Sequence, residues 1–185
     1  MKILIDVNEI CVKERKKIAQ KTTDIDVLKV LADDKSIDVR IAVAININTS
    51  KDLRQKLVED EDFVVRLNIA RDINATEETL KKLSEDENRE VRSAVAGNAN
   101  TPKDILQKLA KDAHPGVRRD VAKNINVTND ILQILAEDEE WMVRFEVANN
   151  NNTSKEILEN LEKDKDVHVR LAADERTFKN YPQFD

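Results

Sequence analysis

Apolar residues recur along this chain in a pattern that repeats every 26 residues. Ile105 and Leu106 are followed by Leu109 and Ala110, a spacing that places all four on one face of an α-helix. A second apolar pair, Val117 and Val121, is spaced four positions apart and follows a short polar stretch. Each repeat is therefore predicted to contain two helices that bury one face each.

The repeat is marked by six Val-Arg pairs at one fixed interval, with no insertion or deletion between them. Self-similarity at a period of 20–50 residues is typical of stacked repeat proteins. The pairs are Val39-Arg40, Val65-Arg66, Val91-Arg92, Val117-Arg118, Val143-Arg144 and Val169-Arg170. The six units run over 23–48, 49–74, 75–100, 101–126, 127–152 and 153–178.

The first helix of each unit has a start signal and an end signal. Thr101-Pro102-Lys103-Asp104 combines a capping hydroxyl, a proline and an acid three residues after the threonine. Where Ala75 and Val127 hold the threonine column, we expect the cap to move one residue on. A leucine column and an acid column three residues later predict a first helix of about ten residues that ends near the acid. The acids are Asp34, Asp60, Asp86, Asp112, Asp138 and Asp164.

The second helix of each unit is predicted to be short. An alanine follows the second apolar position and would let neighbouring backbones approach closely. Asn-x-Asn comes next, as in Asn98 and Asn100, and leaves room for about two turns, either α or the tighter 3₁₀ form. Asparagine tolerates the left-handed backbone conformation and bonds nearby backbone groups, so we expect it to end the helix.

Both ends of the chain depart from the pattern. Residues 1–22 echo the repeat imperfectly and are predicted to be a degenerate N-terminal cap, while 179–185 are predicted to be a C-terminal capping tail. Phe178, Tyr181 and Phe184 are expected to fold over the apolar end of the last repeat. Caps and repeats together are expected to form one continuous domain.

Residues 91–112 resemble the leucine-rich repeat variant family in the order Val-Arg-x-x-Val-Ala-x-Asn-x-Asn-Thr-Pro-x-x-Ile-Leu-x-x-Leu-Ala-x-Asp. The resemblance covers about residues 23–176. The repeat is also similar in style to HEAT repeats. The resemblance implies an all-α fold, a right-handed α-solenoid that alternates an α-helix with a 3₁₀ or very short helix. Some relatives carry a cysteine cluster for an iron–sulfur centre, but Cys11 is the only cysteine here, so no cofactor is carried over. The resemblance implies no general activity.

Charge and composition restrict the partners. The net charge of −6 disfavours sequence-independent binding to nucleic acid or to an anionic membrane, since both rely on clustered lysine and arginine. Charged residues reach 37%, against about a quarter in typical globular domains, as expected for a structure one repeat thick. The first residues break their apolar run too early for a signal peptide, and no stretch approaches 18 apolar residues, so we expect a cytoplasmic protein.

Residues for catalysis are sparse. His114 and His168 fall in different columns, and no histidine lies near Cys11 in sequence, so we interpret them as isolated surface residues. No metal-ligand spacing occurs, and no carboxylate stands in a context that would perturb its pKa. The sequence therefore predicts a protein that is not an enzyme and carries no catalytic residue, metal or cofactor.

The arginines of the Val-Arg pairs have two interpretations. Six arginines at a regular spacing would suit a phosphate backbone or an acidic peptide. Equal numbers of Asp and Arg in fixed register instead favour ion pairs, either with the Asp six residues earlier or with that of an adjacent unit. We favour the second interpretation, in which Arg40, Arg66, Arg92, Arg118, Arg144 and Arg170 form a structural ladder with the six aspartates. The asparagines could likewise contact bases, but their near-invariance between repeats favours a turn.

Candidate binding residues lie in the columns that vary. Two residues before the Val stand Phe63 in the second unit and Trp141 in the fifth, and the fifth unit adds Met142 and Phe145. Aromatic residues and methionine are over-represented at interface hot spots. The alternative is that they fill a wider gap between repeats.

The sequence thus predicts a non-enzymatic protein–protein interaction scaffold, whose acidic surface favours a partner with basic character. The alternatives are a HEAT-like nucleic-acid-binding or repair protein, or a structural part of a larger assembly.

Overall fold

The computed structural model describes residues 10–180, and within that range the chain forms thirteen α-helices and no strand. The chain divides into two compact units, Met1–Ala75 and Thr76–Asp185. Unit 1 contains α1 (Val12–Lys21), α2 (Ile25–Leu31), α3 (Ile37–Ala44), α4 (Lys51–Leu57) and α5 (Phe63–Arg71). Unit 2 contains α6 (Glu77–Leu83), α7 (Arg89–Gly97), α8 (Lys103–Leu109), α9 (Pro115–Lys123), α10 (Asn129–Leu135), α11 (Trp141–Asn149), α12 (Lys155–Leu161) and α13 (Val167–Asn180).

Each unit is a stack of helix pairs, so the predicted all-α repeat fold is confirmed. In unit 1, α3 packs between α1 and α5, and in unit 2 the series α7, α9, α11 and α13 pack successively on one another. The first helix of each pair packs on the second helix of its own repeat. Because helices of two turns are marginal alone, this stacking is what stabilises them.

The columns of the sequence pattern form the core. The leucines Leu31, Leu57, Leu83, Leu109, Leu135 and Leu161 are all buried, and so is every valine of the Val-Arg pairs. The alanine that follows, as in Ala96, Ala122 and Ala148, is completely buried. Its small side chain permits the close approach of successive second helices.

The predicted helix lengths are wrong by about a turn. The first helices that follow a complete start signal have seven residues rather than ten, as in Lys103–Leu109. The chain then tightens into a turn, in which the Asp112 amide donates to the Leu109 carbonyl at 3.1 Å. The second helix is α rather than 3₁₀ and is the longer of the two, with nine residues in Pro115–Lys123. It gains length because it begins two residues before the Val-Arg pair.

The threonine column does not cap the first helix as predicted. The hydroxyls of Thr49, Thr101 and Thr153 are turned inward and donate to a carbonyl six residues earlier, at 2.6 Å in each case. They thereby satisfy a carbonyl that the end of the second helix leaves without an intrahelical partner. The cap stands one residue later, where Ser50 Oγ accepts from the Leu53 amide.

The asparagines end the second helix without a left-handed backbone, contrary to the prediction. Among residues 10–180 no non-glycine residue has positive φ. Asn124 is extended instead, with φ −62° and ψ 133°, and its Oδ1 accepts from the Asn126 amide at 2.8 Å. This side-chain turn reverses the chain without a left-handed residue.

The two ends differ from the inner repeats. At the N-terminal end Arg15 donates to Asp34 at 2.5 Å, one residue out of the register of the other arginines. At the C-terminal end α13 continues to Asn180, past the predicted end of the last repeat. Phe178 is 77% exposed, so the expectation that it covers the apolar end is wrong. Tyr181 and Phe184, with most of the predicted tail 179–185, lie outside the described residues.

Candidate functional site

The arginine column forms ion pairs with the aspartates of the following repeat, one of the two partners that the sequence allowed, and contacts the aspartate six residues earlier through its backbone carbonyl. Arg118 donates through Nε and Nη2 to Asp138 of the following repeat, at 2.6 and 2.9 Å. Its Nη1 donates to the backbone carbonyl of Asp112, six residues earlier, at 2.8 Å. Arg40, Arg92 and Arg144 repeat this arrangement with Asp60, Asp112 and Asp164. Arg66 and Arg170 make the same backbone contact, to Asp60 and Asp164.

Each of these aspartates accepts hydrogen bonds from an arginine of the preceding repeat and from a backbone amide of its own repeat. Asp112 receives Arg92 from the preceding repeat and the amide of His114, at 2.8 Å, from the start of the next helix. Burial alone would raise the pKa of Asp112, but the hydrogen bonds from Arg92 and the His114 amide hold that pKa below its usual value. The same balance lowers the pKa of Asp34 and Asp164. The hydrogen bond that Arg92 donates to Asp112 raises the pKa of Arg92.

This ladder leaves little positive charge for a ligand. The side chains of Arg40, Arg118 and Arg144 are at most 11% exposed, and each has its donors on a carboxylate and on carbonyls. A charge-assisted bidentate pair of this kind is a strong and geometrically specific contact. That the ladder is structural rather than ligand-binding stays a prediction, which stability measurements can test.

The asparagines are committed in a similar way. Asn124 Nδ2 donates to the carbonyls of Ala96 and Asn98 in the preceding repeat, at 2.7 and 2.9 Å. Asn150 Nδ2 does the same one repeat later, and Asn46 in unit 1 reaches the carbonyls of Ala19 and Thr22. Because these side-chain amides are buried and already hydrogen-bonded, they have no donor available for a nucleic-acid base.

The aromatic residues of the fifth repeat form an exposed cluster on α11 and α13. Trp141 lies edge-on to Phe145, with ring centroids 6.2 Å apart, and contacts the ring of His168 at 5.3 Å. Trp141 is 36% exposed and Met142 45% exposed, while Phe145 is half-buried. We call Trp141, Met142, Phe145 and His168 the aromatic cluster. Trp141 is held between the rings of Phe145 and His168 yet remains partly open to solvent, as an interface anchor must be.

Sequence reasoning missed His168 as a member of this cluster. It treated the residue as an isolated surface histidine. The repeat register contained the signal, since Val167 stands 26 residues after Trp141 and His168 follows it directly. The His168 imidazole also contacts Asp166, with Nδ1 and Oδ1 3.2 Å apart.

Several carboxylates lie close in sequence to the aromatic cluster. Glu139, just before α11, has a side chain that is 86% exposed, and Glu137 is also exposed. Glu146, on the same helix as Trp141, pairs with Lys123 at 3.1 Å. The apolar cluster thus lies beside negative charge, which would complement a basic partner.

The remaining candidates from the sequence lie elsewhere. Phe63 is the first residue of α5 in unit 1 and is half-buried. His114 accepts from the Gly116 amide as the N-cap of α9, and Cys11 is an exposed free thiol. Within residues 10–180 no group of three or more histidine, cysteine or acidic residues is arranged to hold a metal ion.

Unit 1 also contains an open groove of about 520 Å³ beside α2 and α4. Arg40 and Lys56 line it together with Asp33 and Asp60. Arg40 donates to Asp60 and Lys56 to Asp33, so these two cations already have partners within the groove. We assign no ligand to it.

The fold and the ladder define a class of protein, the helical-repeat proteins with two helices in each repeat. The chain is similar to a solved leucine-rich repeat variant, described as having a novel repetitive structural motif, with 30% sequence identity and a TM-score of 0.71. That match covers 88% of this chain and 64% of the other, so the chain spans less than two thirds of the length of that relative. The resemblance to the leucine-rich repeat variant family is therefore confirmed.

Two further comparisons bear on the fold. YibA of Escherichia coli, a HEAT-like repeat protein, has a TM-score of 0.56 and 21% identity over 91% of this chain and 76% of its own. At that identity the likeness concerns the fold alone. The chain matches no protein-family model and no curated protein sequence.

None of the helices described between residues 10 and 180 combines the length and the apolar character that a membrane crossing needs.

Proposed function

We propose that the protein is a non-enzymatic scaffold that binds another protein through the aromatic cluster of unit 2. The observation that carries this proposal is the exposure of Trp141 and Met142 beside the half-buried Phe145. Tryptophan is the residue type most enriched at interface hot spots, where a rigid ring is surrounded by contacts that exclude water. The rings of Phe145 and His168 hold Trp141 in one orientation, which lowers the entropy lost on binding.

The partner we propose has a basic surface around an apolar centre. Asp166 contacts His168 of the cluster, the exposed Glu137 and Glu139 precede Trp141 in the sequence, and the chain carries a net charge of −6. Such complementarity mainly raises the association rate, and added salt weakens it. Binding should therefore become slower as the ionic strength rises, with a smaller effect on dissociation.

The nucleic-acid alternative finds no support in the arginine and asparagine columns. Four arginines donate to aspartate carboxylates, and the asparagine amides donate to backbone carbonyls; the arginines are Arg40, Arg92, Arg118 and Arg144. Non-specific binding to a duplex needs several cations free to displace counterions. A shift in duplex mobility that depended on Arg92 or Arg118, in protein of unchanged stability, would instead favour this alternative.

The test of the scaffold proposal is a comparison of two surface variants. In the first, Trp141→Ser and Met142→Ser are combined, and in the matched control Ile125→Ser removes an apolar side chain that is 72% exposed elsewhere in unit 2. A photo-crosslinking group placed at position 145 of the full chain identifies the bound protein in cells. Binding of that purified protein is then measured by calorimetry.

We expect the double variant to weaken binding at least tenfold and the Ile125 variant to leave it unchanged. Each exposed hot-spot residue typically contributes 1.4 kcal/mol or more, which is about a factor of ten. Equal binding by all three proteins, or equal loss in both variants, would show that the cluster is not the binding surface.

As part of the same proposal we place the protein in the cytoplasm. The support is the exposed free thiol of Cys11, since reducing compartments keep such thiols unoxidised. Fluorescence microscopy of the tagged full chain in its own cell tests this placement.

A further inference from the structure

An inner helix of unit 2 carries a cation that no hydrogen bond holds. Arg119 lies on α9, two residues after the valine of its repeat, where α7 has Ser93 and α11 has Phe145. Its side chain is 39% exposed, and its closest carboxylate contact, from Nη2 to Asp120 Oδ1, is 3.9 Å, beyond hydrogen-bonding distance. Within residues 10–180 the guanidinium donates no hydrogen bond, although its Nε is buried. A buried donor without a partner costs free energy, so this arrangement does not stabilise the fold.

The other two cations of α9 are already paired. Arg118 donates to both carboxylate oxygens of Asp138, and Lys123 pairs with Glu146 at 3.1 Å. A guanidinium has five N–H donors in a fixed fork that matches the two oxygens of a carboxylate. Arg119 is therefore the one cation on α9 whose Nη1 and Nη2 are not buried and are hydrogen-bonded to no residue between 10 and 180.

The carboxylates nearest to Arg119 are held by other donors. Ser93 Oγ donates to Asp120 Oδ2, which lies 27 residues further along the chain. Glu146 follows Arg119 by the same interval, so the repeat register makes it the corresponding partner, but Glu146 pairs with Lys123 instead. Because neither acid accepts a hydrogen bond from Arg119, a carboxylate from a bound protein meets donors that are not in use.

Arg119 also lies beside the aromatic cluster. The helices α9 and α11 pack on each other, and Arg119 and Phe145 hold the same position in successive repeats. Axes of packed helices are about 8–10 Å apart, a distance that three residues of an extended chain span at about 3.3 Å each. On the other side of α11, Asp166 contacts His168 of the cluster. An extended segment that crosses these helices therefore meets a cation, then aromatic rings, then a carboxylate.

We propose that Arg119 binds a carboxylate of the partner protein, about three residues away from the apolar side chain that packs on the aromatic cluster. The inference rests on the proposed scaffold function and adds to it a residue that determines specificity. The basic residues of the partner lie on the far side of its apolar side chain, toward Asp166. The partner is thus recognised through an extended segment that carries an acid, an apolar residue and a base in that order in space.

The experiment uses synthetic peptides as probes, because their sequence can be matched to this order. They are Glu-Ala-Ala-Leu-Ala-Ala-Lys and its reverse, acetylated and amidated, each with a counterpart in which glutamine replaces glutamate. Each peptide is titrated into the isotope-labelled full chain, and the NMR signals of arginine Nε–H and of the Trp141 indole N–H are followed. We expect a glutamate peptide to give saturable shifts at Arg119 Nε and at the Trp141 indole. Its glutamine counterpart should bind about tenfold more weakly, because the charged bidentate pair is lost.

Two variants show whether this preference belongs to Arg119. In Arg119→Gln the glutamate and glutamine peptides should bind equally. Arg71→Gln removes the same charge from an exposed arginine of unit 1 and should keep the tenfold preference. Circular dichroism establishes that both variants are folded. The comparison of the two peptides on the unchanged chain depends on neither variant.

The proposal is overturned if the unchanged chain binds both peptides equally, if the preference survives in Arg119→Gln, or if millimolar peptide gives no shift. It is also overturned if inorganic phosphate shifts Arg119 Nε as far as the glutamate peptide does, since Arg119 would then bind anions in general. Equal shifts of the Trp141 indole by both peptides, with none at Arg119, would refute this inference and leave the scaffold proposal intact. Shifts at Arg119 without any at Trp141 would support the carboxylate site and count against the aromatic cluster.

Discussion

Replacement of Arg144 by alanine should destabilise the last two repeats strongly. The Arg144 side chain is 4% exposed and that of Asp164 is 7% exposed, and they are joined by two hydrogen bonds of 2.6 and 2.9 Å. The substitution removes both bonds together with the contact to the Asp138 carbonyl at 2.7 Å. It leaves Asp164 buried with a backbone amide as its other described donor. Removal of one partner of a buried ion pair costs about 3–5 kcal/mol.

That cost should be visible in the thermal midpoint and in local hydrogen exchange. For a chain of this size, about 3–5 kcal/mol corresponds to a decrease of roughly 6–20 °C in Tm. Because repeats are coupled chiefly to their neighbours, exchange should accelerate first in α11, α12 and α13. Arg144→Lys should restore only part of the stability, since an ammonium cannot make the paired contacts of the guanidinium.

Lys108→Ala is the matched control for this prediction. Lys108 pairs with Glu85 at 2.7 Å, but the two side chains are 52% and 69% exposed, so the pair should contribute about 0–1 kcal/mol. If Arg144→Ala cost no more than Lys108→Ala, the view that the ladder braces the repeats would be wrong. Unchanged stability with loss of a bound ligand would identify the arginines as binding residues.

Three further predictions concern the asparagines, the aspartates and the tryptophan. Asn124→Ala should lower the free energy of unfolding, measured by chemical denaturation, by about 2–4 kcal/mol. The substitution removes three hydrogen bonds and leaves buried carbonyls unsatisfied. A cost under about 1 kcal/mol would contradict the structural role of Asn124. Trp141, the only tryptophan, should be quenched by acrylamide in the folded protein, and blue, protected emission would count against its exposure. Stability should decline as the pH falls below about 4, because carboxylates whose pKa is lowered in the folded state contribute stability above the unfolded pKa and lose it on protonation. Replacement of these aspartates by asparagine should make the loss of stability at low pH smaller, as measured by acid titration followed by circular dichroism. The positions are Asp34, Asp112 and Asp164.

Much of the fold follows from the periodic pattern because each column has one physical role. The leucine and valine columns are buried in every repeat, and the alanine column is buried where second helices approach one another. Helix boundaries were less predictable. The turn after Leu109 and the inward hydroxyl of Thr101 depend on contacts with other backbone groups, which spacing alone does not specify.

The candidate site was predictable only in part. Trp141 and Met142 stood out as departures from the repeat, but His168 is brought to Trp141 by the packing of α13 on α11.

The 26-residue period and the helical spacing of its apolar positions together predict stacked helix pairs, because two short helices can bury their apolar faces only against neighbouring repeats. Which partner each polar column takes is a property of the folded chain. Arg118 contacts both its own repeat and the next, and Asn124 both turns the chain and holds the preceding repeat. Hydrogen bonds are directional and short in range, so they are settled by the packed geometry, whereas burial follows from periodicity.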